Sequence, residues 1–385
     1  MDLFRPDYSG GGIVNLMQSI ASACGAVDRP YPPCALLGAE ELAAARQIVL
    51  IVIDGLGADL LPSLPATSLL CQQRRGTLTS VFPSTTASAI GTFMSGLAPA
   101  QHGLTGWHVH LRELERTVAV LPLTPRGGEA LVAEDLPPRL FAYPSLFQHI
   151  KRASTVVSPT RIATTPFNAW HARGAQTVPY EGLPAFFSAL GEAMQAPQAQ
   201  YIYGYFADLD TVSHRFGKYS PAAQRLLAQI DAAFSTFAAA QRGRDAWILL
   251  TADHGFIDAP PEHVICLDDH PTFAALLQHP LSGERRAAYC HVEASHHEAF
   301  RRYVAEHFAD AIQCVPSLRL IDEGWFGPPP YHAELAARVG DFTLLMKDDW
   351  TIKDWLPDER RYAMLGVHGG TSRAEMQVPL VAVRV

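Results

Sequence analysis

What the chain of 385 residues lacks narrows its class first. No apolar run approaches the roughly 20 residues that a membrane-spanning helix needs, so no membrane association is expected. The opening stretch MDLFRPDYSGGGIVNLM has no basic segment ahead of a long apolar one, and no secretory signal is read there. Lysine and arginine form no dense block and the formal net charge is −8. A nucleic-acid polymer is therefore not an expected partner. An acidic protein can still handle phosphate when metal ions supply the positive charge. The six cysteines (Cys24, Cys34, Cys71, Cys266, Cys290, Cys314) are scattered and make no C-x-x-C pair. Free thiols in a reducing cytoplasm are the expected state, ahead of a disulfide or two. There is no internal repeat and no low-complexity tract, and nothing signals a particular oligomeric state.

What is present is a globular composition, 48% hydrophobic and 18% charged. Four apolar runs that end at glycine or polar residues read as buried strands: IVLIVID (48–54), QYIYGYFADLD (200–210), AWILLTADHG (246–255) and YAMLGVHGG (362–370). Apolar on both faces, they suit a sheet covered by helices on each side. Between them, AAQRLLAQIDAAFSTFAAAQRG (222–243) has helical spacing, with Gly243 as its stop. Strands alternating with helices predict an α/β fold, a three-layer α/β/α sandwich with a largely parallel central sheet. The Pro- and Gly-rich stretch 121–144 reads as a long excursion or loop. A small inserted α+β lobe is expected at about 256–361, within a single domain spanning 1–385.

The ends of those four runs carry Asp54; Asp208, Asp210 and His214; Asp253 and His254; and His368. In open α/β sheets ligands bind beyond the carboxyl ends of the strands. A single acid at a strand end is commonly a turn or cap residue, but four ends with the same habit point to one metal-binding place. The stretch DGLG is not a dinucleotide loop, because the third glycine is missing and an acid precedes the first. Gly55 and Gly57 are expected to keep the backbone slim where a charged substrate approaches, and the glycines on both sides of His368 to let backbone and substrate come close. Asp210 and His214 lie four apart, one face of a helical turn. His102 is a candidate supporting residue; His291, His296 and His297 read as solvated or capping side chains. The hydroxyl-rich tract TSVFPSTTASAIGTFMSG (79–96) reads as a loop entering a helix, whose N-terminus favours an anion such as phosphate.

Asp54, this threonine-rich turn, Asp210-x-x-x-His214, Asp253-His254 and His368, in that order, resemble the alkaline phosphatase superfamily, most closely its nucleotide pyrophosphatase/phosphodiesterase branch. The similarity runs from about Ile48 to His368. It implies a hydrolase of phosphoric ester or anhydride bonds, acting on a small phosphorylated substrate. It also implies two divalent metal ions, zinc for this nitrogen and oxygen set, with manganese or iron as alternatives. Asp210, His214 and His368 would hold one; Asp54, Asp253, His254 and the nucleophile would hold the other. Counting back from Gly96 places the nucleophile at Thr86, with Thr85 and Ser84 as alternatives, and the expected intermediate is a phospho-threonine. Two positions depart from the branch: Ala87 stands where an aromatic stacks on the base, and Ala89 where an asparagine holds the phosphoryl oxygen. The alternative is a phosphomonoesterase, or a phosphonate or sulfate-ester hydrolase, in which Arg161 or Lys218 would balance the extra charge. A non-catalytic metal-binding relative is the third reading.

Overall fold

The run QIVLIVI forms the strand Gln47–Ile53, and all seven of its residues are buried. A computed structural model gives the fold over residues 3–27, 30–127, 136–357 and 359–385. On either side of Gln47–Ile53 lie the equally buried strands Gln200–Phe206 and Ala246–Thr251. Both pair with it in parallel, Gln47 opposite Gln200 and Ala246. The full sheet runs Arg74–Thr79, Gln377–Arg384, Ala246–Thr251, Gln47–Ile53, Gln200–Phe206, Ala153–Pro159, Gln176–Tyr180. Gln377–Arg384 runs against both of its neighbours, and the remaining pairings are parallel.

Side-chain alternation along Gln200–Phe206 shows the three layers. Tyr201 and Tyr203 meet Phe147 and Phe93 on one face. Gly204 and Phe206 meet Phe186 on the other, and a Cβ at Gly204 would come within 3.0 Å of Leu190 and Phe186. The helices Ile13–Ala23 and Thr86–Ser95 belong to the first layer, and Gly182–Ala193 and Pro221–Ala240 to the second. Pro221–Ala240 realises the helix expected over 222–243, with the Ser220 hydroxyl capping its start. The α/β sandwich is thus the observed fold.

A second sheet is antiparallel throughout: Ile312–Pro316, Phe342–Met346, Ala287–Cys290, Ser282–Gly283, His108–Leu111, Arg116–Ala119, Thr124–Pro125. Three of these strands come from 108–125, outside the 256–361 segment. One face is covered by His297–His307 through Phe300 and Val304. The other packs Tyr289 and Leu345 with Trp325 and Phe82. Phe82, four residues before Thr86, stacks edge-on against Trp325 at 5.3 Å and so joins the two sheets.

Three expectations need correction. The run 362–370 is not a core strand: among the described residues Gly366–Val367 pairs only with Ile257–Asp258, and the last core strand is Gln377–Arg384. The stretch 121–144 is not all loop, since Thr124–Pro125 is a strand and Leu136–Leu140 a helix; its residues 128–135 lie outside the described residues. Gly55 and Gly57 serve packing, not substrate approach. A Cβ on Gly55, at φ +75°, would strike the Phe256 ring at 2.4 Å, and one on Gly57 would crowd Gly255 and the Ala374 carbonyl. All six cysteines are free. Among the described residues no helix is long and apolar enough to cross a membrane.

Candidate active site

Parallel pairing decides where the acids meet. Asp54 follows Ile53, and its amide still bonds the Phe206 carbonyl at 2.9 Å, so the sheet register fixes it. Its Oδ2 accepts the Tyr205 hydroxyl, while its Oδ1 is buried with no hydrogen bond. Asp253 ends the neighbouring strand. Its Oδ1 accepts the amides of Gly55 (3.1 Å) and His254 (3.0 Å), and its Oδ2 is again buried and unbonded. Asp210 and His214 sit one turn apart on the helix Asp208–Phe216, and Asp210 Oδ1 also lacks a hydrogen bond.

Three histidines complete the cluster, each tied by Nδ1 to a backbone carbonyl. His254 bonds Gly255 O at 3.0 Å, His214 bonds Gly366 O at 2.8 Å and His368 bonds Ser84 O at 3.3 Å. A carbonyl only accepts, so Nδ1 carries the hydrogen, and in each neutral ring Nε2 turns a lone pair inward. Those lone pairs meet the unbonded carboxylates: His254 Nε2 lies 3.4 Å from both Asp54 Oδ1 and Asp253 Oδ2, and His214 Nε2 lies 3.2 Å from Asp210 Oδ1. His214 and His368 Nε2 are 3.2 Å apart. The close approach of Gly366 to the Ser213 carbonyl, 2.3 Å from an ideal Cβ, makes glycine necessary where the His368 loop meets the Asp210 helix.

The electrostatics carry the same message. Burial pushes the Asp54 carboxyl well above its usual range, and the charges of Asp253 and Asp210 add to this. Burial, then His254 and His214, pushes His368 down. Burial works against a charged His214, but Asp210 outweighs it and the ring is raised. Unbonded carboxylate oxygens and imidazole lone pairs converging in a buried place repel one another unless cations lie between them. Two sets lie within ligand reach, Asp54–Asp253–His254 and Asp210–His254–His368. The donor chemistry fits divalent ions.

Of the three candidate hydroxyls, one faces this cluster. Thr86 opens the helix Thr86–Ser95, and its Oγ1 lies 3.1 Å from His254 Nε2. Ser84 Oγ donates to Gly370 O at 2.8 Å. Thr85 is the N-cap residue, yet its hydroxyl does not cap the helix: it donates to Glu284 Oε1 at 2.6 Å. The same oxygen accepts the Trp107 amide at 2.6 Å. Burial pushes the Glu284 carboxyl up to about 7, with the two hydrogen bonds opposing. Sequence reasoning missed Glu284, which lies 199 residues from Thr85 and has no motif around it. A turn of the second sheet delivers it, and a Cβ on Gly369 would collide with its side chain at 2.6 Å. That glycine makes room for Glu284, not for substrate.

A cavity of about 260 Å³ opens beside Thr86, Asp210, His214 and His368, and Glu284, Arg285 and Lys353 of the second sheet's side line it too. A mainly apolar cavity of about 300 Å³ reaches Asp54 and Thr86 past Ile90, Met94 and Phe167, with Arg161 also lining it. The other candidates stay away from the cluster. His102 is buried against Thr92 (3.3 Å) and accepts the Leu104 amide. His291 bonds Ala337 O, His297 bonds Val292 O, and His296 is exposed. Lys218 is committed to Asp59 (2.6 Å) and to the Phe256 carbonyl.

The murine ectonucleotide pyrophosphatase/phosphodiesterase 5 is similar in structure, with TM-score 0.64 and 16% identity over 86% of this chain and 87% of that one. Its human counterpart is similar at TM-score 0.64 and 15% identity, covering 87% of each chain. Phosphonoacetate hydrolase from Sinorhizobium meliloti 1021, solved with phosphonoformate, is similar at TM-score 0.64 and 16% identity, over 89% of this chain and 91% of that one. No curated protein sequence matches significantly. The profile of the type I phosphodiesterase / nucleotide pyrophosphatase family matches residues 48–371, from the first core strand to just beyond His368. The chain therefore belongs to the type I phosphodiesterase / nucleotide pyrophosphatase family, hydrolases of phosphoester or anhydride bonds.

Proposed function

We propose that this chain hydrolyses small phosphodiesters or pyrophosphate-type anhydrides, with Thr86 as nucleophile and two divalent cations, zinc, as cofactors. One observation carries the reading: three buried, unbonded carboxylate oxygens and three imidazole Nε2 atoms converge beside the Thr86 hydroxyl. Asp54, Asp253 and His254 would hold one ion, and Asp210, His214 and His368 the other, with His254 also close to the second set. When bound, such ions lower the pKa of a coordinated hydroxyl and neutralise charge on phosphoryl oxygens. The chain does the rest. Because Thr85 leaves its helix uncapped, the first-turn amides are free to donate to a phosphoryl oxygen, the task Ala89 cannot perform. Thr86 Oγ1 gives up its proton to solvent and bonds to phosphorus as the P–O bond to the leaving group breaks, and the leaving oxygen keeps that electron pair and is protonated by solvent. Water then breaks the Oγ1–P bond, releasing the phosphate product and restoring the threonine. An inactive Thr-to-Ala variant of the murine protein, solved with AMP, supports a threonine in this role.

A second reading, phosphomonoester or phosphonate hydrolysis, draws on the small cavity with its cationic wall and on the phosphonate ligand of the Sinorhizobium protein. One assay separates them: metal content of the purified protein, then turnover of bis-p-nitrophenyl phosphate against p-nitrophenyl phosphate. The diester is expected to be preferred, and Thr86→Ala to cut its turnover by about 10³-fold or more. Diester hydrolysis that survives Thr86→Ala would sink the mechanism, and a preference for the monoester would move the assignment to the second reading.

A further inference from the structure

The hairpin joining Ser282–Gly283 to Ala287–Cys290 presents two consecutive side chains to the cavity beside Thr86. Glu284 is spent on Thr85 and Trp107. Arg285 forms no ion pair among the described residues. Its guanidinium lies near the rings of Trp355 and Tyr362, 5.5 and 5.0 Å from their centroids. Its Nη2 is shut off from solvent with no hydrogen-bond partner among the described residues. A buried guanidinium N–H left unpaired costs free energy, so a partner belongs there. The other cations of the same wall already have theirs: Arg126 pairs with Asp354 (2.7 Å) and Glu359 (2.9 Å), and Lys353 with Glu359 (3.2 Å). His108, which also lines the cavity, is pushed down to about 3, first by burial and then by Arg126 and Lys353, with Glu359 opposing and Arg285 adding to the effect.

We propose that Arg285 holds a second anionic group, a carboxylate or phosphate, on the leaving-group portion of the substrate while its phosphoryl group reacts at Thr86. A guanidinium is a planar fork of donors that matches the oxygens of either anion, and the flanking rings hold the fork in place. The inference rests on the function proposed above and narrows its substrates to compact, doubly anionic phosphoesters. At about 260 Å³ the cavity sits just under the usual range of about 300–1,000 Å³ for ligand pockets, which favours a compact leaving group.

The test reads binding and not turnover. In a Thr86→Ala background with zinc added, calorimetric titrations compare phenyl phosphate, 4-carboxyphenyl phosphate and 1,4-phenylene bisphosphate. At least one of the two ligands that carry a second anionic group is expected to bind about tenfold or more tightly than phenyl phosphate, and the better one identifies the anion. Adding Arg285→Met, which keeps an apolar stem between the rings, should erase that advantage, and Arg285→Lys should keep part of it. Equal affinities for all three ligands, or an advantage that survives Arg285→Met with an unchanged melting curve, would overturn the assignment. Because no ester is consumed, this result is independent of the diester assay: failure there with the Arg285 advantage intact would remove the catalytic reading alone.

Discussion

Ala87 shows how much a single buried position restricts. It and Ala89 lie fully buried in the helix behind Thr86, inside the main core. An aromatic at 87 has no free space to stack on a base from there. Ala87→Phe should therefore overpack the core, costing about 1–3 kcal/mol, and lower the melting temperature without improving nucleotide hydrolysis. Unchanged stability together with faster nucleotide cleavage would contradict this. Glu284 acts through Thr85. With Glu284→Ala the Thr85 hydroxyl is released to cap its own helix and occupy an amide that the phosphoryl group needs. The expected outcome is a fall of about tenfold in kcat with little change in KM, and no further loss when Thr85→Val is added. Glu284→Gln keeps the accepting oxygen and should restore most of the rate. A loss that appears mainly in KM, or adds fully in the double variant, would refute the positioning role.

At the scale of elements, the second sheet is fastened to the loop that carries His368 by a buried ion pair. Arg286 and Glu375 are both fully buried, with two N–O contacts of 3.1 Å. Glu375 also accepts the Gly370 amide and the Ser372 hydroxyl. Removing one partner leaves an uncompensated buried charge, so Glu375→Ala should cost about 3–5 kcal/mol, measurable by denaturant unfolding. The pair also sets an acid limit. Burial alone would raise the Glu375 carboxyl, but the Arg286 charge and hydrogen bonds outweigh it and hold the group below the usual range. A carboxyl with a depressed folded-state pKa stabilises at pH above its unfolded value, about 4.3, and that stability is lost as pH falls through the folded value. The melting temperature should therefore drop on acidification below about pH 4, less steeply in Glu375→Gln than in the parent. Parallel slopes would show that the pair does not govern acid stability.

For the molecule as a whole, the acidic cluster joins three neighbouring core strand ends to the His368 loop, so any metal bound there would be coupled to the fold. Chelation leaves Asp54, Asp210 and Asp253 facing one another without cations. Metal-free protein is expected to melt about 5 °C or more below the loaded form, with about two ions regained per chain on titration. An identical melting temperature before and after chelation would show that the cluster holds no stabilising metal.

Much of this was legible in the residues themselves. IVLIVID, QYIYGYF and AWILLT are apolar on both faces, which leaves a buried parallel strand as their natural state, and each is followed closely by an acid that cannot enter the core unpaired. Local chemistry thus settled the three central strands and the helix Pro221–Ala240, and it named the donor residues that the fold brings together. It did not settle which last strand joins the sheet, because YAMLGVHGG and QVPLVAVRV both carry apolar runs and the choice depends on pairing with Ala246–Thr251 far away in the chain. The count from Gly96 ranked Thr86 above the adjacent and chemically identical Thr85, but it could not show that Glu284 from another sheet engages the Thr85 hydroxyl while that of Thr86 faces His254. Composition and periodicity act between near neighbours and set elements and donor atoms. Partners 100 or more residues apart are chosen only when burial makes every polar group find one.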